Sequence, residues 1–260
     1  MSAKRTVLVV LGLVCAAAPL QATHQDIIVT IENLSPAGGV YFTPVWVGFH
    51  NGRFDLFDPG GRASDGLERL AEDGDGAALR MGFAEAAGGE AGGIDTVITA
   101  PEGFAGTPVF DPGDSTSMQL TINAQLNRYL SFASMVIPSN DAFFGNHNPK
   151  AIELFDGSGQ FTGKKIVTVL GSMVWDAGTE LNTEMDAAFI NQAEANTGMT
   201  TMCPVLPHPG YLGSYANAGS DPLILGGTGP ADIQFDWTAA DFTLPYAVIA
   251  RITVDLAATE

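Results

Sequence analysis

The stretch Tyr129-Leu130-Ser131-Phe132-Ala133-Ser134-Met135-Val136-Ile137 is a strongly apolar run that ends at Pro138-Ser139-Asn140-Asp141. A run of this length, rich in aromatic and aliphatic residues, predicts a buried strand. The proline stops the ladder of hydrogen bonds, and Asn and Asp favour a turn directly after it. The stretch therefore predicts a β-sheet with an acidic side chain in the turn at the end of one strand.

Similar signals recur along the chain. Residues 25–34 alternate, with Ile27, Val29 and Ile31 on one face, which predicts a half-buried strand. Further strands are predicted at 40–49, 94–99, 115–123, 151–155, 165–170 and 246–256. Short helices are predicted at 64–72, 77–87 and 183–195, and a long loop at 199–230. Many short strands separated by Gly and Pro turns predict an all-β sandwich or barrel with short helical insertions.

The first 22 residues have the pattern of a secretory signal peptide. Lys4 and Arg5 precede an apolar run from Val7 to Ala18, and the small residue Ala22 offers a cleavage point. The run is shorter than the roughly 20 apolar residues of a membrane span, although an uncleaved anchor is the alternative. Residues 23–260 then form one domain with no transmembrane segment, predicted to be secreted or periplasmic.

The composition describes a folded and very acidic protein. The chain carries 29 acidic against 11 basic residues, for a formal net charge of −18, while 46% of its residues are hydrophobic. Such a charge disfavours nucleic acid, whose binding needs Lys and Arg against phosphate, and it suits cations. Cys203 is the only cysteine after the predicted leader, so no internal disulfide forms. It is either a buried or otherwise inert thiol or a thiol that pairs between chains.

A second acidic turn follows another β-like run, at Trp175-Asp176-Ala177-Gly178-Thr179-Glu180. Gly178 permits a sharp bend, so that Asp176 and Glu180 can converge, and Asp141 can supply a third carboxylate. Carboxylate oxygens on tight turns suit a hard cation such as Ca²⁺, which offsets their mutual repulsion. The alternative is that these residues only cap turns.

Other motifs are absent. The four histidines, His24, His50, His147 and His208, have no zinc-site spacing, and the chain lacks a G-x-S-x-G nucleophile motif. The acidic segment 72–76 lacks the spacing of an EF-hand loop and indicates a solvated helix end.

The two acidic turns resemble a known family. Ile137-Pro138-Ser139-Asn140-Asp141-Ala142-Phe143-Phe144-Gly145 resembles the segment Pro-Ser-Pro-Asp-Trp-x-x-Gly of the spondin N-terminal domain, and residues 175–180 resemble its Trp-Asp-Ala-Gly-Thr-Asp. The resemblance extends from about Ile27 to Leu256. It implies an antiparallel β-sandwich similar to C2 domains, with a calcium ion held by Asp141, Asp176 and Glu180.

The chain departs from the animal pattern at several positions. Glu180 replaces an Asp, Asn140 and Phe143 replace Pro and Trp, and the framework cysteines are missing. The sequence therefore resembles a bacterial stand-alone form of the domain. It predicts a calcium-binding module, not an enzyme, with a binding, adhesion or structural role towards an unknown extracellular or cell-surface ligand. The alternative is a metal-dependent hydrolase, for which Glu184 and Asp186 are the nearest candidate bases.

Overall fold

The computed structural model describes residues 24–101, 108–190, 192, 194, 197–211, 234–236, 238–244 and 246–258. The predicted signal peptide lies outside these residues, as does most of the predicted loop beyond Tyr211. Within the described residues, no helix is long and apolar enough to cross a lipid bilayer.

The described chain consists of eleven strands and two α-helices. The strands are β1 (His24–Asn33), β2 (Tyr41–Phe42), β3 (Val45–His50), β4 (Ile94–Ile98), β5 (Ser115–Asn123), β6 (Tyr129–Ile137), β7 (Ala142–Gly145), β8 (Lys165–Leu170), β9 (Val174–Asp176), β10 (Leu206–Pro207) and β11 (Val248–Leu256). The helices are α1 (Asp65–Asp73) and α2 (Ala77–Ala87), both between β3 and β4. The all-β fold class predicted from the sequence is confirmed.

The strands form two antiparallel sheets that pack as a sandwich. One sheet has the order β5-β1-β11-β8, and the other has the order β10-β9-β7-β6-β3-β4, with β2 also paired to β6. The main core lies between the sheets, and the alternation seen in the sequence of β1 places Ile27, Val29 and Ile31 in it, each fully buried. The aromatic residues of β2 and β3, Tyr41, Phe42, Trp46 and Phe49, are all buried as well.

The two helices cover the outer face of the larger sheet. Ser64 caps α1 by accepting a 3.2 Å hydrogen bond from the Leu67 amide, and Gly74 ends it in the left-handed conformation with φ 70°. Leu67 and Phe83 are buried in a second core, where the Phe83 ring lies 5.4 Å from that of Trp46. Every residue of β3 is therefore buried, which explains its continuous apolar sequence without alternation.

Some predicted elements are wrong. The predicted helix at 183–195 is absent over its described part, where Glu184, Asp186 and Phe189 have φ of 59°, 56° and 66°, since left-handed residues cannot continue an α-helix. The predicted strand at 151–155 is reduced to isolated bridges from Glu153 to Tyr129 and from Phe155 to Phe161.

Smaller differences concern the other predicted segments. Pro44 divides the predicted strand at 40–49 into β2 and β3, because proline has no amide to donate. The sequence did not predict β7 or β10 as separate strands, and β10 lies inside the predicted long loop. β9 is the β-like run expected before the second acidic turn. Cys203 is exposed, so the interpretation as a buried thiol is wrong, because its segment runs along the surface beside the 178–181 turn.

Candidate metal centre

The register of two short strands brings the acidic turns together. Asp141 directly precedes β7, and the next residue, Ala142, is the partner of Asp176 on β9. The amide of Ala177 donates a 3.1 Å hydrogen bond to the Asp141 carbonyl, which extends the pairing past the end of β9. Asp141 and Asp176 therefore lie beside each other at the same end of the sheet.

The turn that carries Asp141 is fixed by its own side chains. The Ser139 hydroxyl donates to the Val136 carbonyl at 2.5 Å and accepts from the Ala142 amide at 3.0 Å. These two bonds close the chain between β6 and β7. Asp141, at the end of this turn, is fully buried.

One oxygen of the Asp141 carboxylate organises the second acidic turn. Its Oδ2 accepts hydrogen bonds from the Thr179 amide at 2.9 Å and the Glu180 amide at 3.0 Å, and a weaker one from the Thr179 hydroxyl. Its Oδ1 is buried and has no hydrogen-bond partner among the residues that the structure describes. A buried carboxylate oxygen without a partner is costly, so this atom requires an explanation.

Asp176 is held by a different set of donors. Its Oδ1 accepts from the Gly178 amide at 2.7 Å and its Oδ2 from the Asn182 side chain at 2.6 Å. Gly178 has φ 70°, and a Cβ there would lie 2.6 Å from the Cys203 carbonyl oxygen, so the position requires glycine. The sharp bend predicted at Gly178 is confirmed.

Glu180 lies deeper than a surface turn residue. It is 5% exposed and forms an isolated bridge with Thr200, while the Asn140 side chain reaches its Oε2 at a long 3.5 Å. Gly198 lies directly against this carboxylate and leaves no room for a Cβ.

Glu72, at the end of α1, is also buried, at 4% exposed, where the sequence predicted a solvated helix end. Arg69 partly compensates its charge at 2.6 Å.

The electrostatics of these acids are unfavourable in the absence of a cation. Burial, reinforced by Asp176, raises the pKa of Asp141 to about 7. Burial also raises the pKa of Asp176, against the opposing hydrogen bonds from Asn182 and Gly178. Burial and the neighbouring Glu72 raise the pKa of Glu180 to about 7. The protein thus holds several carboxylates where their ionised forms are disfavoured.

The three predicted ligands are neighbours but do not form a closed cage. Among the residues that the structure describes, no group of three His, Cys, Asp or Glu side chains has the arrangement of a ready metal site. Asp141 is the central member, since its charge acts on Glu180 and the charge of Asp176 acts on it. The donor set is nevertheless all oxygen, and the unpartnered Oδ1 of Asp141 fits a hard cation such as Ca²⁺.

Sequence reasoning missed the amides that organise the site. The Asn140 side chain accepts a 3.0 Å bond from the Glu184 amide and donates a 2.8 Å bond to the Met185 carbonyl. It therefore fixes the 184–186 loop, whose left-handed residues replace the predicted helix. No sequence signal separates Asn140 from an ordinary turn asparagine, because its partners Glu184 and Met185 lie more than forty residues away. Asn182 lies only six residues from its partner Asp176, and its residue type is equally common in turns.

The predicted loop histidine near this turn is a packing residue. His147 is exposed, and its ring lies 5.7 Å from that of Trp175 and 6.1 Å from that of Phe57. It therefore packs edge-on against the two outer aromatic rings.

The fold and this site define a class: a β-sandwich with two acidic turns brought together at one end. A scan of protein-family models matches residues 35–204 to the spondin N-terminal domain, Spondin_N. The chain belongs to this family, whose members are extracellular, non-catalytic modules. The resemblance noted in the sequence is thereby confirmed. No curated protein sequence matches the chain significantly.

Proposed function

We propose that this protein is a secreted or periplasmic calcium-binding module, in which Asp141, Asp176 and Glu180 hold one Ca²⁺. The observation that carries the proposal is the Oδ1 atom of Asp141, which is buried without a hydrogen-bond partner beside a second carboxylate. A divalent cation would supply that partner and offset the repulsion among the acids.

The residue types favour calcium over other metals. Ca²⁺ takes six to eight oxygen ligands and tolerates irregular geometry, so carbonyl groups and water would complete a shell that three carboxylates begin. Zinc and copper prefer histidine and thiolate ligands, and His147, the histidine nearest in sequence, packs on aromatic rings. Glu180 remains suitable where relatives have Asp, because glutamate is an equally common calcium ligand.

The role of the ion would be to hold one end of the sandwich together. Asp141 already connects its own turn to residues 177–180, and residues 178–181 pair with residues 199–203. Exposed apolar side chains emerge from these segments and from the adjoining 184–186 loop: Leu181, Met185, Met199 and Met202 are 48% to 72% exposed. We assign recognition of an extracellular or cell-surface ligand, with a binding, adhesion or structural role, to this end.

A metal-dependent hydrolase is the alternative function. It would need a general base beside a metal-bound water. Glu184 is buried at 3% exposed, and its backbone is tied to Asn140, so its position serves the loop structure. The non-catalytic character of the family favours the binding module.

The proposal is tested by the dependence of thermal stability on calcium. A ligand that binds only the folded state raises its stability by about 2.7 kcal/mol at a hundredfold excess over the dissociation constant. Extracellular calcium modules often bind at roughly 10⁻⁴–10⁻³ M, so the titration must reach tens of millimolar. We expect the melting temperature to rise with calcium and to fall with chelator.

The matched variants are Asp176→Ala and Asp73→Ala. Asp176→Ala should abolish most of the calcium response, whereas Asp73→Ala should retain it, because Asp73 pairs with Arg69 on α1. A full response in Asp176→Ala would exclude the proposed ligands. Hydrolysis of ester, phosphoester or peptide substrates that depends on calcium and is lost in Asp176→Ala would instead support the alternative.

A further inference from the structure

Three of the four sheet edges carry features that prevent pairing with another chain. Exposed edge strands recruit other strands unless they are short or carry charge or proline. β10 has two residues, one of them Pro207, and β8 begins with Lys165 directly after Lys164. β4 has five residues, including Asp95, which is ion-paired with Arg80 of α2.

The fourth edge, β5, has none of these features. Its nine residues, Ser-Thr-Ser-Met-Gln-Leu-Thr-Ile-Asn, include no charge, no proline and no glycine. It pairs without a bulge along its whole length with β1, from Ser115 opposite Glu32 to Asn123 opposite His24. Within the described residues, the backbone groups of 115–122 have no hydrogen bond to any segment other than β1. β4 of the other sheet contacts the inner face of β5, where the Thr96 hydroxyl lies 3.9 Å from the Met118 sulfur.

The sequence of β5 is complementary to itself when two copies run antiparallel about Gln119. This register places Gln119 opposite Gln119 and Ser117 opposite Thr121 on the exposed outer face. It places Met118 opposite Leu120 on the inner face, where both side chains are only partly buried in the single chain. Each half-exposed apolar side chain would thus be covered by its counterpart.

We propose that β5 pairs antiparallel with β5 of a second copy of this chain, centred on Gln119, so that two four-stranded sheets become one continuous sheet. The lack of charge on β5 identifies it as the edge where two copies can meet. Copies with a formal charge of −18 repel each other, and β5 is the one long edge among the described strands that adds no charge of its own to that repulsion.

The acids on β1, next to the seam, have hydrogen-bond or ion-pair partners within the same chain, and Asp114, directly before β5, accepts from the Asp111 amide. Glu32 of β1 forms a two-pronged ion pair with Arg251, at 2.6 Å and 2.7 Å. Asp26 of β1 accepts a hydrogen bond from the Thr121 hydroxyl. A seam of nine residues a side is smaller than a standard permanent interface, so the dimer should be weak and depend on concentration.

Sedimentation equilibrium over a wide concentration range tests the pairing, with reductant present to exclude a disulfide through Cys203. We expect the mass of the wild-type protein to rise towards twice that of the monomer. Gln119→Lys would place two like charges opposite each other and should weaken association at least tenfold. The control is Ile166→Lys, which adds the same charge to the exposed face of β8 at the opposite edge and should leave association unchanged.

Three results would overturn the proposal: a monomer at every concentration, a dimer that Gln119→Lys leaves intact, or a dimer that Ile166→Lys disrupts. The last result would move the interface to β8.

Cross-linking tests the register independently. Opposed residues of antiparallel strands have Cβ atoms about 4.5–5.5 Å apart, close to the range that a disulfide spans. In a Cys203→Ser background, Gln119→Cys should form a disulfide-linked dimer under mild oxidation much faster than Ile166→Cys. Equal rates for the two would indicate random collision and refute the register. Both experiments are run with calcium and with chelator. The same result is expected in both conditions, because the seam does not involve the acidic turns.

Discussion

Replacing Asp141 with asparagine should make the calcium-free protein more stable, contrary to the usual effect of altering a buried polar residue. At pH 8 the wild-type carboxylate is ionised although burial and Asp176 raise its pKa to about 7, from an ordinary value of 3.8. A pKa raised by roughly three units, at about 1.4 kcal/mol each, corresponds to at most about 4 kcal/mol of destabilisation by the buried charge. Asp141→Asn removes this charge.

Part of this gain is lost again in the hydrogen bonds. The amide oxygen of asparagine can still accept from the amides of Thr179 and Glu180, but a neutral acceptor forms weaker bonds than a carboxylate. We subtract roughly 1–2 kcal/mol for this weakening. The net gain is then on the order of 2 kcal/mol, which corresponds to a melting temperature higher by about 4–8 °C for a domain of this size.

Calcium should reverse the order of the two proteins. At a hundredfold excess over the dissociation constant the wild type gains about 2.7 kcal/mol, and Asp141→Asn gains little because it lacks a charged ligand. Differential scanning calorimetry at pH 8, in chelator and in calcium, measures both effects. The control is Asp111→Asn, since burial and Asp114 also raise the pKa of Asp111 at a different turn. It should retain the calcium response of the wild type.

Two outcomes would refute this reasoning separately. If Asp141→Asn is less stable than the wild type in chelator, the buried charge is not a source of strain. If the variant keeps the whole calcium increment, Asp141 is not a ligand.

The further predictions concern pH, two packing positions and export of the chain. Asp141 and Glu180 bind protons more tightly in the folded than in the unfolded chain, so the free energy of unfolding in chelator should fall as pH rises from about 4.5 to 7. The stabilisation by calcium should grow over the same range, and melting curves from pH 5 to 8 test both effects. Asn140→Ala should lower the free energy of unfolding by about 1–3 kcal/mol and increase amide hydrogen exchange at 184–186. Unchanged exchange would mean that Asn140 does not hold this loop. Phe83→Ala should destabilise the fold by about 3–5 kcal/mol in urea unfolding, and a cost below 1 kcal/mol would mean that α2 is loosely attached. N-terminal sequencing of exported protein should begin near Thr23, and an intact Met1 there would contradict cleavage.

The strands were predictable where burial imposes a pattern. The sequence correctly located β5, β6 and β8 to the residue, because each is a continuous run bounded by Gly, Pro or Asn turns. The helix α1 was visible from its apolar spacing and the Ser64 cap. Elements of two to four residues, such as β7 and β10, are too short to show any periodicity.

The sequence singled out the three acids that lie near one another at the candidate metal centre, but not the amide side chains around them. Asp141, Asp176 and Glu180 lie in turns that their Gly, Pro, Asn and Asp residues predict. The family resemblance implied that the two turns share one site. Their proximity depends on the pairing of Ala142 with Asp176, which is a tertiary fact. The loop at 183–190 was misread because helical spacing is a local signal, whereas Asn140 holds this loop from more than forty residues away.

The position of the two helices has a consequence for how the chain reaches its fold. β3 and β4 are hydrogen-bonded antiparallel neighbours, yet residues 51–93, with both helices, separate them. In a hairpin, a turn of a few residues sets the register of the strands. Here the register must be set by side chains such as Trp46, which packs on Phe83 and donates its indole N–H to Asp95 of β4 at 3.0 Å. Closing so long a loop has an entropic cost before the pairing contributes, so this strand pair should form late in folding. A shortened chain without the helices would leave Trp46 and Phe143 facing water and should aggregate rather than fold as a smaller sandwich.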